Sequence, residues 1–299
     1  MSNRIFYASQ AVSIAATNGS PTAIQGAQSV TIATSYKVDK YNQLGHTSVL
    51  NSIAMPPEVE VTITKNLDGS PTMFGTYGAT LVGLANTQKD IYVGVGDDTA
   101  LELASGAAIK MTGCYLKSVK YAMQIEGAFT EECSFVGGDK QLSGTLSAPT
   151  TSGAKVLTRR NFAGSTLPSE VAGLKIQSVS ISADLGREAL YELGNPVAFF
   201  RSPTFPAEIT CEISVLAQAA SDETAFPEGS EAGCDTDNLP LEQPISIVLC
   251  DAGSGSGYTF NLGDKCILQS VNYSGGDTGG GNVTITYSYT TSNSLTVTN

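Results

Sequence analysis

Pro56-Pro57-Glu58-Val59-Glu60-Val61-Thr62-Ile63-Thr64 reads as a strand with two unlike faces. Val59, Val61 and Ile63 fall on one side, while Glu58, Glu60, Thr62 and Thr64 fall on the other. A period of two with β-branched residues on one face is the pattern of a half-buried strand. The same writing returns at Pro206-Ala207-Glu208-Ile209-Thr210-Cys211-Glu212-Ile213-Ser214-Val215, displaced by 150 residues. There Ile209, Cys211, Ile213 and Val215 form the apolar side. A third alternation sets Val283, Ile285, Tyr287 and Tyr289 against Thr284, Thr286 and Ser288.

The repetition extends outward from that strand. QSVTI at Gln28–Ile32 recurs as QSVSI at Gln177–Ile181, and Leu44-Gly45 recurs as Leu193-Gly194, both displaced by 149. CYLKSVKY at Cys114–Tyr121 recurs as CILQSVNY at Cys266–Tyr273, displaced by 152. Matches in the same order with a slowly drifting offset imply a duplicated domain, and internal repeats of this kind decide an architecture. The expected units are residues 1–148 and 155–299. A small, polar, Pro-containing linker at about 141–154 joins them.

The expected fold is mainly β: two tandem copies of a β-sandwich or barrel-like domain, each with one short flanking α-helix. The helix of the second copy is expected in DLGREALYELGN, from Asp184 as N-cap to Gly194 as the stopping glycine. Leu185, Ala189 and Leu193 stand at helical spacing within it. VDKYNQLGH, with Asp39 and Gly45 in similar offices, is the expected counterpart in the first copy.

Composition suits strands joined by turns. The chain has 299 residues, of which 41% are apolar and 15% charged, and 31 are glycine. No apolar run approaches the roughly 18 residues of a membrane span. MSNRIFYASQ has neither a basic n-region nor an apolar h-region, so folding in the cytosol is expected. Six cysteines, at 114, 133, 211, 234, 250 and 266, are then expected as reduced and mostly buried thiols.

The net charge of −12 disfavours tight nucleic-acid binding, which needs Lys and Arg against phosphates. It permits a surface past which nucleic acid slides. The halves differ: residues 1–149 carry 9 bases and 12 acids, and residues 150–299 carry 7 and 16. Seven of those acids lie in 219–243, a long loop. The first-copy counterpart, 68–89, is apolar and Gly-rich instead.

No catalytic, cofactor or metal site is expected. His46 is the single histidine, beside a glycine that ends a segment, and no nucleophile motif surrounds it. No Cys-x-x-Cys occurs. Gly275–Gly281 lacks the Lys-Ser/Thr ending of a phosphate loop and reads as a hairpin turn, as does Gly94–Asp98. Asp235-x-Asp237 lacks the rest of a calcium loop.

The stretch SVSISADLGREALYELGNPVAFFRSPTFPAEITCEISVLA, Ser178–Ala217, resembles the core of bacteriophage tail tube proteins, and the first copy carries a fainter version. The resemblance implies a non-enzymatic virion protein, assembled in the host cytoplasm, whose stacked rings form the channel for DNA ejection. Most members carry one domain and form hexameric rings. Two domains per chain imply a homotrimeric ring with pseudo-sixfold symmetry, joined to other tail proteins and needing no cofactor. Loops 68–89 and 219–243 are the expected ring-to-ring contacts. Glu58, Glu60, Glu208 and Glu212 are the candidates for lining the lumen, where carboxylates repel DNA without binding it. The alternatives are a β-sandwich binding or decoration module of a virion or cell surface, and a carbohydrate-active enzyme, which the absence of Trp disfavours.

Overall fold

The computed structural model describes residues 11–17, 19–78, 80–83, 86–95, 107–143, 146, 155–163, 165–195, 197–217, 242–250, 257–275 and 282–299. Six of the seven acids of the 219–243 loop, Cys234, and most of Gly94–Asp98 and Gly275–Gly281 lie outside the described residues.

The N-terminal half runs β1 (Val12–Ala16), β2 (Thr22–Ala23), β3 (Ala27–Ser35), β4 (Val38–Asn42), β5 (Val49–Ala54) and β6 (Glu58–Asn66). After helix α1 (Met73–Tyr77) come β7 (Gln88–Val95), β8 (Ala107–Gln124), β9 (Thr130–Gly137) and β10 (Asp139–Ser143). The C-terminal half runs β11 (Lys175–Asp184), β12 (Arg187–Leu190), β13 (Phe200–Pro203), β14 (Glu208–Leu216) and β15 (Ser246–Leu249). It continues with β16 (Tyr258–Asn261), β17 (Ile267–Ser274), β18 (Thr284–Ser292) and β19 (Thr296–Thr298). The chain is mainly β, as expected. Strand β10 takes up the first three residues of the expected linker.

One antiparallel sheet organises both halves. Eight of its twelve strands run in the order β3-β6-β9-β8-β11-β14-β18-β17, all neighbours hydrogen-bonded, and β7, β1, β2 and β10 extend from β8. The first four strands and the last four carry the same register. One row reads Ile32, Val61, Phe135, Leu116, and its counterpart reads Ile181, Cys211, Tyr289, Leu268. Each set has an irregularity at the same two places. The pairing shifts at Gln28 and at Gln177, and again at Lys117 and at Gln269. A bulge adds one residue to one strand, so matched bulges keep alternate side chains on the same face in both sets.

Alternation then sorts the residues. Val59, Val61 and Ile63 of β6 and Ile209, Cys211, Ile213 and Val215 of β14 are fully buried. Their intervening residues face the other side. The core is closed by the N-terminal part of β8, which bends at Gly113 (φ 61) and pairs with β7 and β10. In the C-terminal half β16, β15 and β19 form a small separate sheet. That sheet reaches back to the first half, where Phe260 lies 4.7 Å from Tyr121, centroid to centroid. The apolar cluster therefore runs through both halves without a break.

Both expected helices are hairpins. Asp184–Asn195 holds β12, which pairs with β13, and Val38–His46 holds β4, which pairs with β5. The backbone groups a helix would satisfy internally find partners elsewhere: Leu185 donates to the Lys117 carbonyl at 2.8 Å, and Phe199 to the Leu190 carbonyl at 3.0 Å. Gly186 at φ 47 also breaks the helical path. Gly45 (φ 84) and Gly194 (φ 88) do not stop helices; they turn the hairpins, in a conformation that a Cβ would strain.

The five-residue helix α1 sits where a loop was expected. Thr72 caps it, accepting from Gly75 at 2.9 Å. Glu131, fully buried, accepts from the Met73 and Phe74 amides at 2.7 and 3.0 Å and from the Tyr121 hydroxyl at 2.9 Å. Tyr77 at its end stacks on Phe135, with centroids 5.0 Å apart.

Candidate functional site

A continuous sheet with one face in the core offers two functional surfaces, its other face and its outer edges. The outer face is rich in hydroxyls. Rows cross it such as Thr62, Ser134, Ser118, and Ala122, Ser180, Glu212, Ser288, Ser270. All four expected acids lie on it, because each alternates with a buried apolar residue.

They differ in circumstance. Glu212 is exposed and accepts from Ser180 Oγ at 3.3 Å. Glu208 is exposed at the start of β14. Glu60 accepts from Lys117 at 2.9 Å and from Ser134 at 2.8 Å. Burial works against its charge, yet those hydrogen bonds prevail and hold its carboxyl below the ordinary range. Glu58 pairs with the buried Arg201 of β13. The outer face thus carries at Glu212 an exposed carboxylate bonded to a hydroxyl, and a cation–carboxylate pair at Lys117 and Glu60.

The Arg201 contact belongs to a docked hairpin. Strands β12 and β13 lie across one end of the outer face of the first half. Arg187 Nε donates to the Leu116 carbonyl at 2.8 Å, and its guanidinium sits 5.1 Å over the Tyr115 ring. Burial lowers the pKa of Arg187 to about 10, still far above neutrality. Phe200 meets Tyr115 edge-on at 5.7 Å. The sequence pattern does not reveal this site, because helical spacing places Arg187 in an expected helix and nothing local marks Arg201 as a docking residue.

The edges are the second surface. Inside the chain β8 and β11 meet at Val119–Ala183, Tyr121–Ile181 and Met123–Val179, and all six side chains are buried. The two ends of the eight-strand run are β3 and β17. Strand β3 occupies the place of β11 in its own set, and β17 the place of β8. Ile32, matching buried Ile181, is only half-buried, as is Val271, matching buried Val119.

No model of a known protein family matches the chain, and no curated protein gives a match by sequence. Among the described residues no group of three or more His, Cys, Asp or Glu side chains is placed to hold a metal ion. No helix of the described residues is long and apolar enough to cross a membrane. Cys114, Cys133, Cys211 and Cys266 are buried free thiols, and Cys250 is exposed. Burial pushes Cys114 up to about 12 and Cys266 up to about 11.

Proposed function

We propose that the chain is a tandem duplication of one β domain and serves as a subunit of a phage tail tube. Three chains close head to tail into a ring, rings stack into a tube, and DNA passes through it.

The observation that carries this reading is the β8–β11 junction. The chain already contains one seam between its two four-stranded sets, and its two outer edges are the two halves of a second, identical seam. Pairing β17 of one chain with β3 of the next repeats the internal register. Transferred by the repeat offsets, Val119–Ala183 becomes Val271–Thr34, and Tyr121–Ile181 becomes Tyr273–Ile32. A head-to-tail contact of this type closes into a ring when the rotation permits, and closure removes both edges from aggregation. With eight strands from each of three chains, at about 4.8 Å per strand, the wall is about 115 Å around. A barrel of that size is on the order of 37 Å across at the backbone, wider than a DNA duplex.

The buried face of the sheet is then the outside of the barrel wall, covered by the second layer, and the hydroxyl face lines the lumen. Hydroxyls and carboxylates dominate that face, and its lysines stand beside acids: Lys117 bonds to Glu60 at 2.9 Å and Lys120 lies opposite Glu132 across the strands. The matched bulges, the identical strand order and the residue resemblance of Ser178–Ala217 support the same reading.

Electron microscopy of the purified protein is the direct test, with rings or hollow cylinders expected and a monodisperse monomer at all concentrations overturning it. Directly opposed strand residues stand about 4.5–5.5 Å apart, within disulfide reach. Thr34→Cys with Val271→Cys therefore links chains into covalent trimers if the seam is as described. Glu212→Lys gathers phosphate on the lumen face, so tubes of that variant bind short DNA with an affinity that falls as salt rises.

A further inference from the structure

The two hairpins have the same register and opposite surroundings. Val38–Ala54, Asp39–Ile53, Lys40–Ser52 and Tyr41–Asn51 match Arg187–Pro203, Glu188–Ser202, Ala189–Arg201 and Leu190–Phe200, all displaced by 149. The β12–β13 hairpin is seated on the first half of the sheet, whereas every residue of β5, and of β4 except Asp39, is exposed. Just before the hairpins, Leu185 is 1% exposed and its match Tyr36 is 64% exposed.

The seat itself also recurs. The hairpin β12–β13 rests on Glu58, Tyr115 and Leu116, whose matches in the second half are Glu208, Ile267 and Leu268. Of these matches Glu208 and Ile267 line an open cleft of about 620 Å³, together with Pro206, Lys265, Thr290 and Thr291. Tyr115 is 3% exposed beneath its hairpin, and Ile267 is 43% exposed in the cleft.

We propose that the β4–β5 hairpin of one chain docks in this cleft of a second copy of the chain. The inference rests on the ring reading, because only a neighbour joined through β17 and β3 sets the hairpin over the cleft. Val38 then covers Ile267, Ser52 hydrogen-bonds to the Glu208 carboxylate, and the Tyr36 amide donates to the Gln269 carbonyl. The side chains are matched to their seats. Within the chain a guanidinium lies on an aromatic ring and a second guanidinium meets a carboxylate. Between chains an aliphatic pair and a hydroxyl–carboxylate pair replace them. Seating β12–β13 in the cleft would bury Arg187 over Ile267, which has no π face to receive it. Each hairpin is thereby directed to its own groove, one within the chain and one between chains.

The test uses the full chain with Cys234→Ser and Cys250→Ser, so that the native thiols left are the buried Cys114, Cys133, Cys211 and Cys266. Val38→Cys/Ile267→Cys and, in a separate protein, Thr34→Cys/Val271→Cys are treated with a short bismaleimide after assembly. The expected result is covalent trimers from both pairs and none from the single substitutions. Trimers from the edge pair alone would overturn the hairpin docking and leave the ring standing. Linkage by neither pair would remove the ring reading and the docking together. Hairpin-pair products that grow beyond trimers, while edge-pair products stop there, would assign the hairpin to the next ring and overturn docking within the ring. A swap adds an independent readout. Val38→Arg weakens assembly about tenfold, and adding Ile267→Tyr, which rebuilds the internal pair, restores it; failure of that rescue counts against the docking.

Discussion

The seam between β8 and β11 and the open edges at β3 and β17 are built from matched residues, yet they differ in almost every physical respect. At the seam Ile181 and Val119 are sealed between two strands. At the edges Ile32 and Val271 sit half-covered, and among the described residues no strand pairs with the far side of β3 or β17. Burial here is a property of the neighbour rather than of the residue. In the proposed ring each edge meets the partner that its match already has inside the chain, which would account for apolar residues that a free sheet edge ordinarily avoids.

The strongest way to break the comparison is a charge at the matched position. Ile181→Asp places a carboxylate in the sealed seam and costs about 4 kcal/mol or more, so the chain fails to fold or loses most of its thermal stability. Ile32→Asp at the edge costs about 1 kcal/mol in the isolated chain, and its effect appears in assembly. Calorimetry and light scattering on the two variants separate folding from association, and equal losses of stability would erase the distinction.

The halves also differ inside. Glu131 and Lys65 are buried in the first half, at places where the second half has Ile285 and Val215. Glu131→Ala strands the Met73 and Phe74 amides and costs about 3 kcal/mol, whereas Ile285→Val costs about 1 kcal/mol. Burial raises the Glu131 carboxyl above its ordinary 4.5. The folded protein therefore keeps that proton to higher pH than the unfolded chain does. Its contribution is fully present below 4.5 and is lost as pH rises through the raised value. Unfolding free energies measured against pH should show this decline in the native protein and lack it in Glu131→Gln.

Smaller effects sharpen the comparison of the hairpins. Arg201→Ala releases the Glu58 contact and the bond to the Gly137 carbonyl, for about 1–2 kcal/mol given the half-exposed partner. The matched Ser52→Ala leaves the isolated chain within about 0.5 kcal/mol of its native stability. Denaturant titration measures both. The smallest effect concerns the thiols, which change reactivity and not stability. A thiol reagent at pH 8 should label Cys250 at once, while Cys114, pushed up to about 12, and Cys133, Cys211 and Cys266 react only after unfolding. Rapid labelling of Cys114 in the native protein would contradict its burial.

The sequence by itself determined what is local or recurrent. A period of two marks β6 and β14 as half-buried strands whatever surrounds them, and the matched segments align strands that turn out to share order, register and bulges. The outward position of Glu58, Glu60, Glu208 and Glu212 follows from the same parity. Only the tertiary structure decided the rest. Leu185, Ala189 and Leu193 satisfy helical spacing, but Leu185 is taken into the seam and Leu193 stands at a fully exposed hairpin tip. The choice between helix and hairpin was made by the surface of β6, β8 and β9, through bonds to Leu116 and Lys117 some 70 residues away in the chain. Helix α1 is likewise secured by Glu131, 58 residues distant from Met73. Side-chain parity is set by each residue's immediate neighbours, whereas the partner of an edge, a hairpin or a helix end is set by folding, and no local pattern encodes it.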